Sequence, residues 1–335
     1  MAAGQARLVP IGFWPAPSAP KPPKDASAEQ LRLHRERQKQ QQLNTQALAH
    51  MRRLREQVPA GRRLVFNGDG SYTNATVLKN LPADTVYIGR IRKDAKLHRL
   101  PGGPTAATGR RPSYGARAPT PEQLRQDEPA PWQPVAAFAA GRRHDFRVKT
   151  LAPVLWRKSG AAQTLRVVVI APLGYRLRAG GKLLYRQPAY LVCTDPDLAL
   201  EDLLQYYLWR WGIEVNFREE KHLLGAGEAQ VRTPASNRHL PATVVAAYAL
   251  LWVAALRALQ AGSTVATVPP PRWRRHSTDR PALPTTGELL RRLRFETWAR
   301  ALRPDSFYHF ITATRPVPKS HKPAPSPAGA LFAAA

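Results

Sequence analysis

The chain has 335 residues, with 51 Lys and Arg against 23 Asp and Glu, a formal net charge of +28. That length leaves room for one large or two ordinary domains around a sizeable core, and the charge points to a polyanionic partner, nucleic acid foremost, because each neutralised phosphate releases counterions. A single cysteine, Cys193, excludes an intrachain disulfide framework and a multi-cysteine zinc site, and fits a reducing cytoplasm. No apolar run of about 18 residues is evident, so no membrane-spanning helix is expected. The opening "MAAGQARLVPIGFWPAP" makes no signal peptide, because its apolar run is short and breaks at Pro10.

Residues 15–27 form a Pro-rich lead. Leu31, Leu33, Leu43, Ala47, Leu48, Met51 and Leu54 then predict one long or two shorter helices over 28–57, polar on one side. A short apolar strand is expected at 63–67, ended by Gly68, then a helix at 73–81 and a strand at 85–91. Strand, helix and strand this close together make an α/β unit with parallel neighbours. Residues 100–146 are rich in Gly, Pro and Arg and read as loop or insertion. Strand signals at 146–156, 164–171, 182–186 and 189–193 predict an antiparallel β insertion. A long helix is expected from "TDPDLALEDLL" to about Leu224, with Asp195 as N-cap, Pro196 at the first helical position and Gly225 as its stop. An apolar helix follows at 240–260. After a Pro/Arg linker, Thr285 with Glu288 makes a capping box for a helix over 287–302. The tail from 304 reads as disordered.

One stretch carries chemistry, "YYLWRWGIEVNFREEK" at 206–221. Taken as continuous helix, it places Tyr207, Arg210, Glu214 and Lys221 at offsets of 0, 3, 7 and 14, within an arc of about 60°. One acid among three phosphate-contacting groups suits a DNA-facing surface. The glutamate can hold a divalent cation, Arg and Lys bind phosphates, and Tyr donates to phosphate or stacks on a base. Phosphoryl transfer by two metals needs further acidic oxygens. The best second candidate is Asp69, directly after the apolar "LVFNG", where an α/β sheet presents its ligands.

The spacing Tyr207-x2-Arg210-x3-Glu214-x6-Lys221, with "GDGSYTN" at 68–74 and "IGRIRKDAKL" at 88–97, resembles bacterial insertion-sequence DDE transposases carrying a Tyr-Arg-Glu-Lys signature. The resemblance covers roughly residues 25–260. It implies an α/β fold: a ribonuclease-H-like core, mixed sheet flanked by helices, with a β-rich insertion before the helix of the last acidic residue. It also implies that Asp69 and Glu214 are catalytic metal ligands for Mg²⁺ or Mn²⁺, and that Tyr207, Arg210 and Lys221 contact DNA at the transposon end. The implied reaction is end nicking and strand transfer into target DNA, by a homodimer in a synaptic complex, in a bacterial cytoplasm and without a membrane partner. Such enzymes use three carboxylates. Upstream of Asp69 the chain has only Asp25, in "PPKDAS", whose expected role is helix capping. Residues 7–14 resemble the end of a third core strand, so the start is expected to be truncated or misplaced and the metal site incomplete. The organisation expected is a lead at 1–27, a first core part at 28–98, an insertion at 99–194, a helical core remainder at 195–262, a linker and helix at 263–303, and a tail at 304–335.

Blander readings stand beside these. Glu214 could be a salt-bridged helix glutamate with Arg210 as its partner, and Asp69 a turn aspartate between glycines. Leu208, Trp209, Trp211 and Phe217 are expected in the core. Arg90, Arg92, Lys93 and Lys96 suit a solvated face or DNA equally, with Asp94 paired among them. "GRRPSYG" at 109–115 reads either as a DNA-tracking loop or as disordered, and "PPPRWRRH" at 269–276 as a basic linker, with a DNA contact as the sharper alternative. Asp195 and Asp197 favour a helix start, and the nine histidines show no metal spacing. A DNA-binding remnant without catalysis is the alternative function. A basic RNA-associated structural protein is a third.

Overall fold

Five apolar-rich residues, Leu64–Gly68 (β1), run parallel to Thr85–Arg90 (β2), with Gly68 beside Gly89. A four-residue helical turn, Ala75–Leu78 (α3), connects them. This is the predicted strand–helix–strand unit, its helix shorter than expected. The structure, a computed structural model, describes residues 6–16, 18–102, 112–139, 142–176, 180–261 and 283–302. The chain divides into two compact units, one built from Pro15–Gly212 and the other from Arg7–Trp14 with Ile213 onward.

The larger unit opens with two helices, Ala28–Gln40 (α1) and Leu43–Gln57 (α2). Ser27 caps α1 in a capping box with Gln30, so Asp25 does not take the capping role the sequence suggested. Beyond β2 come Leu97–His98 (β3), Pro121–Gln126 (α4), Gln133–Ala139 (β4), Arg142–Trp156 (β5), Gly160–Ile170 (β6), Gly174–Tyr175 (β7), Leu184–Tyr185 (β8), Ala189–Cys193 (β9) and Leu200–Trp209 (α5). One sheet of seven strands runs β1-β2-β9-β6-β5-β3, with β4 also on β5, and β1 is an edge among the described residues. Only β1 and β2 are parallel; every other pairing in that sheet is antiparallel. The expected β insertion is therefore continuous with the core sheet through β9 on β2, making the expected mixed sheet flanked by helices.

The central strands are apolar almost without interruption because both faces are covered. Tyr87, Val167, Val169 and Val192 point to a core shared with Val77 and Leu78 of α3 and Leu124 of α4. Val86, Ile88, Val168, Leu191 and Cys193 point to the opposite core, closed by Leu203 and Leu204 of α5. Full burial of each such leucine contributes about 1.5–3 kcal/mol. Two expectations change here. Residues 100–146 are not loop throughout, since they hold α4, capped by Thr120 with Gln123, and β4. A reading by Gly and Pro content missed the capping box. Asp195 does not cap the following helix, which starts at Leu200 after Ala199. Asp195 instead accepts from the Asp197 backbone at 3.0 Å and pairs with Arg63 at 2.6 Å.

The smaller unit contains Gly212–Leu224 (α6), Pro234–Gln260 (α7) and Thr286–Leu302 (α8). Thr285 and Glu288 form the predicted box: the Thr285 N–H donates to Glu288 at 2.7 Å and the Glu288 N–H to Thr285 at 3.2 Å. Tyr248, Trp252 and Ala255 of α7 pack with Leu289 of α8. Residues 7–14 are irregular and belong to no strand, contrary to the expected strand end. By length and composition α7 could cross a membrane, and 17% of its most apolar window is buried. That corrects the expectation of no such helix: alanines make it apolar on average without an unbroken run. Core helices share this property, so it is weak evidence for a membrane. The basic linker at 269–276 and the tail from 304 lie outside the described residues.

Candidate functional site

Asp69 follows β1 directly and is exposed. Its Oδ1 accepts from the Ser71 N–H at 2.8 Å and the Tyr72 N–H at 3.4 Å, an Asx-turn that turns the chain back toward α3. Asn74 caps that helix, its Oδ1 accepting from Thr76 at 2.9 Å and Val77 at 3.2 Å. Thr73, buried beneath the turn, donates its hydroxyl to the Asp69 carbonyl at 2.8 Å. That uses the only Thr73 hydroxyl proton, so the Tyr87 hydroxyl, 3.3 Å away, donates to Thr73 Oγ1. Burial pushes the Tyr87 phenol up to about 12, so it keeps its proton at physiological pH.

The glycines around this turn are needed for close approach. A Cβ on Gly68 would stand 1.8 Å from the Tyr87 hydroxyl oxygen, and one on Gly89 2.3 Å from Thr73 Oγ1 and 2.5 Å from the Tyr87 ring. Gly70 lies by the Arg90 backbone, since its Cβ would be 3.9 Å from that carbonyl. Arg90, Lys93 and Lys96 are exposed, and Arg92 pairs with Asp94 at 2.9 Å as expected.

The second carboxylate belongs to the other unit. The expected continuous helix from 195 to 224 is interrupted: α5 ends at Trp209, and the N–H groups of Arg210 and Trp211 bond three residues back, to Tyr207 and Leu208, at 3.2 Å each. Gly212 then opens α6. Tyr207 therefore lies on α5, Arg210 on the turn that follows it, and Glu214 and Lys221 on α6, rather than all four on one continuous helix. Within the larger unit, the Arg210 guanidinium lies 5.9 Å from the Tyr207 ring centroid, and Tyr207 is half-buried against the α5-side core. On α6, Glu214 sits in the first turn and Lys221, seven residues on, falls on the same helix face, both exposed. A carboxylate at a helix N-terminus is favoured by the dipole, a lysine at its C-terminus likewise. Trp211 and Phe217, expected in the core, are 57% and 64% exposed.

A polar network absent from the sequence reading holds α6 in the smaller unit. Glu219 accepts from the Tyr248 hydroxyl at 2.8 Å, from the Thr286 hydroxyl at 2.6 Å and from Arg7 at 3.4 Å. The Trp252 indole donates to Thr286 at 3.1 Å, and Asn216 donates to the Leu8 carbonyl at 3.1 Å. Arg7 also lies 4.5 Å over the Trp252 ring. No motif spacing marks this network in the sequence.

Asp69 and Glu214 were expected to bind metal. Among the described residues, no group of three or more His, Cys, Asp or Glu side chains could hold an ion. A family model described as the transposase DDE domain matches residues 32–250, more than half of the chain. Comparison of the full sequence with curated proteins finds no match.

Proposed function

The chain belongs to the transposase DDE domain family, and on that premise we propose that it acts on the ends of an insertion sequence, as the Tyr-Arg-Glu-Lys branch of that family does. The family acts on DNA and generally uses divalent metals. In this reading Asp69 and Glu214 are reaction-site carboxylates, while Tyr207, Arg210 and Lys221 hold the phosphate backbone of the transposon end. The observation that carries it is the placement of Asp69 at the C-terminal end of a parallel strand, inside the matched span, on a turn braced from below by Thr73 and Tyr87. Glu214 and Lys221 on one face of α6 support the same reading. So does the charge of +28, which makes DNA binding steeply salt-dependent.

Binding without strand transfer is the second reading. It is favoured by the described residues, among which no group of three or more His, Cys, Asp or Glu side chains is placed to hold an ion. One experiment separates the two. The purified chain is incubated with supercoiled DNA in Mg²⁺ or Mn²⁺, alongside Asp69→Ala and Glu214→Ala. Nicking lost in both variants, with DNA affinity retained, establishes the transposase reading. Binding by all three proteins with no nicking in either ion establishes the binding-only reading. Failure of the wild type to bind DNA overturns both.

A further inference from the structure

Between β6 and β9 the chain leaves the main sheet and forms a separate two-stranded ribbon, β7 paired with β8, with Gly174 opposite Tyr185 and Tyr175 opposite Leu184. Two strands this short are not stable alone, and this ribbon is held by local polar contacts. The Arg186 N–H donates to the Leu173 carbonyl at 3.0 Å, and Arg176 donates to the Gly181 carbonyl. Its side chains face outward. Tyr175, Arg176, Lys182, Leu183, Tyr185 and Arg186 are all exposed, Tyr185 at 64%. The Arg186 guanidinium lies 5.4 Å from the Tyr175 ring centroid, so cation and aromatic share one surface.

Charge decides what such a ribbon can meet. From Phe146 to Thr194 the sequence contains no Asp or Glu at all. The ribbon's cations therefore have no acidic neighbour along the strands that carry them. Exposed tyrosines that seal no core, set among cations that form no ion pair among the described residues, favour an anionic surface with which both hydroxyls and guanidinium groups can bond. Duplex DNA offers that surface, and its major groove, about 12 Å wide, admits a two-stranded ribbon.

We propose that the β7–β8 ribbon is a DNA-contacting element of the β insertion, gripping the phosphate backbone through Arg176, Lys182 and Arg186 with Tyr175 and Tyr185 beside them. This rests on the DNA-acting reading above and adds a contact surface separate from the signature residues. Phosphate contacts position a protein without reading sequence. The ribbon's contribution is therefore independent of DNA sequence and visible in the salt dependence.

The test uses the full chain and a fluorescein-labelled duplex of arbitrary sequence, followed by anisotropy between about 50 and 200 mM salt. Each phosphate contact contributes about 0.9 to the log–log salt slope, so replacing all three cations by Ala should lower the slope by about 2.7. Over that fourfold salt range, the triple variant should lose roughly 40-fold less affinity than the wild type. The double variant Lys182→Ala/Arg186→Ala spares the Arg176–Gly181 bond and should lower the slope by about 1.8. A second readout is independent of charge. Cys193 is fully buried, so Tyr185→Cys introduces the one accessible thiol for a photo-crosslinker. It should crosslink to the duplex, while Glu128→Cys, on an exposed acidic turn, should not. An unchanged slope in both cation variants, or equal crosslinking from the two cysteines, overturns the ribbon assignment while leaving the DNA-acting reading intact. A wild type that does not bind the duplex overturns both.

Discussion

Gly68→Ala should destabilise the larger unit, and much of that cost should vanish when Tyr87 is already phenylalanine. The added Cβ would meet Tyr87 at three atoms: 1.8 Å from the hydroxyl oxygen, 2.7 Å from Cζ and 3.2 Å from Cε2. Tyr87 has nowhere to go. It is fully buried, and on its other side the Gly89 backbone already approaches closely enough that a Cβ there would be 2.5 Å from the ring. Overpacking of this kind costs about 1–3 kcal/mol. Tyr87→Phe alone removes one buried hydrogen bond, to Thr73 at 3.3 Å, at a cost of about 1 kcal/mol. In the double variant the 1.8 Å overlap is gone and only the 2.7 Å approach to the ring remains. The two changes should therefore be non-additive by about 0.5–2 kcal/mol, with the double variant more stable than the sum predicts. Urea unfolding of the four proteins, followed by circular dichroism, measures the cycle. The corresponding shifts in Tm are about 2–4 °C per kcal/mol for a unit of this size. Additivity within about 0.3–0.5 kcal/mol would refute the claim that the glycine is there to admit the tyrosine.

Three further outcomes follow from single contacts. The Arg125 guanidinium, at 2.6 Å, and the Tyr190 hydroxyl hold the Glu122 carboxyl down at about 2. A carboxyl lowered on folding contributes stability above its ordinary pKa, and this is lost as pH falls through about 4.5 toward 2; Glu122→Gln should flatten that part of a stability–pH profile, and an unchanged profile would count against the pairing. Asn74→Ala removes the acceptor for two backbone N–H groups of α3 and should cost about 1 kcal/mol in urea unfolding; no loss would mean the cap is not engaged. Burial pushes the Cys193 thiol up to about 11, so a thiol reagent at neutral pH should label the unfolded protein and leave the folded one unmodified, and rapid labelling of the folded chain would contradict its place in the core.

Much of the larger unit was legible in the sequence because its strands bury both faces. Runs such as "TVYIGRI" and "AYLVC" need no periodicity argument, and β2 and β9 fall where those runs predict. Asp69 was legible for a related reason: an aspartate between glycines after an apolar strand has few alternatives to a turn at the sheet edge. The break at Arg210 and Trp211 was not. Helical spacing extrapolates through any stretch lacking Pro, and "WRWG" carries no breaker until Gly212. The turn there tightens by three-residue hydrogen bonds, a local choice that propensity does not resolve. Trp211 and Phe217 were placed in the core on hydrophobicity alone. Their exposure shows the weakness of that rule, because an apolar side chain at the surface is common. The Glu219 network was hidden because its members come from positions as far apart as Arg7 and Thr286, joined only by folding.

Each unit holds an exposed carboxylate in its own way. Under the proposed function such a carboxylate must stay exposed and yet be held in a fixed place, and exposure alone leaves a side chain and its backbone free to move. In the larger unit the restraint on Asp69 comes from below. Thr73 and Tyr87 form a buried hydrogen-bonded pair whose acceptor is the Asp69 carbonyl, leaving the carboxylate outside. In the smaller unit Glu214 is exposed on the first turn of α6, while Asn216 and Glu219 of the same helix are tied to Leu8, Tyr248, Thr286 and Arg7. Glu219 would be costly to bury unpaired, and three donors compensate it. Polar groups placed under a site in this manner gain little net stability, about 1 kcal/mol per hydrogen bond. Leaving one of them unsatisfied costs as much or more, so each network admits few alternative arrangements. The restraint on Asp69 and along α6 therefore comes from buried or half-buried polar residues beneath them, and these are the residues that motif spacing does not reveal.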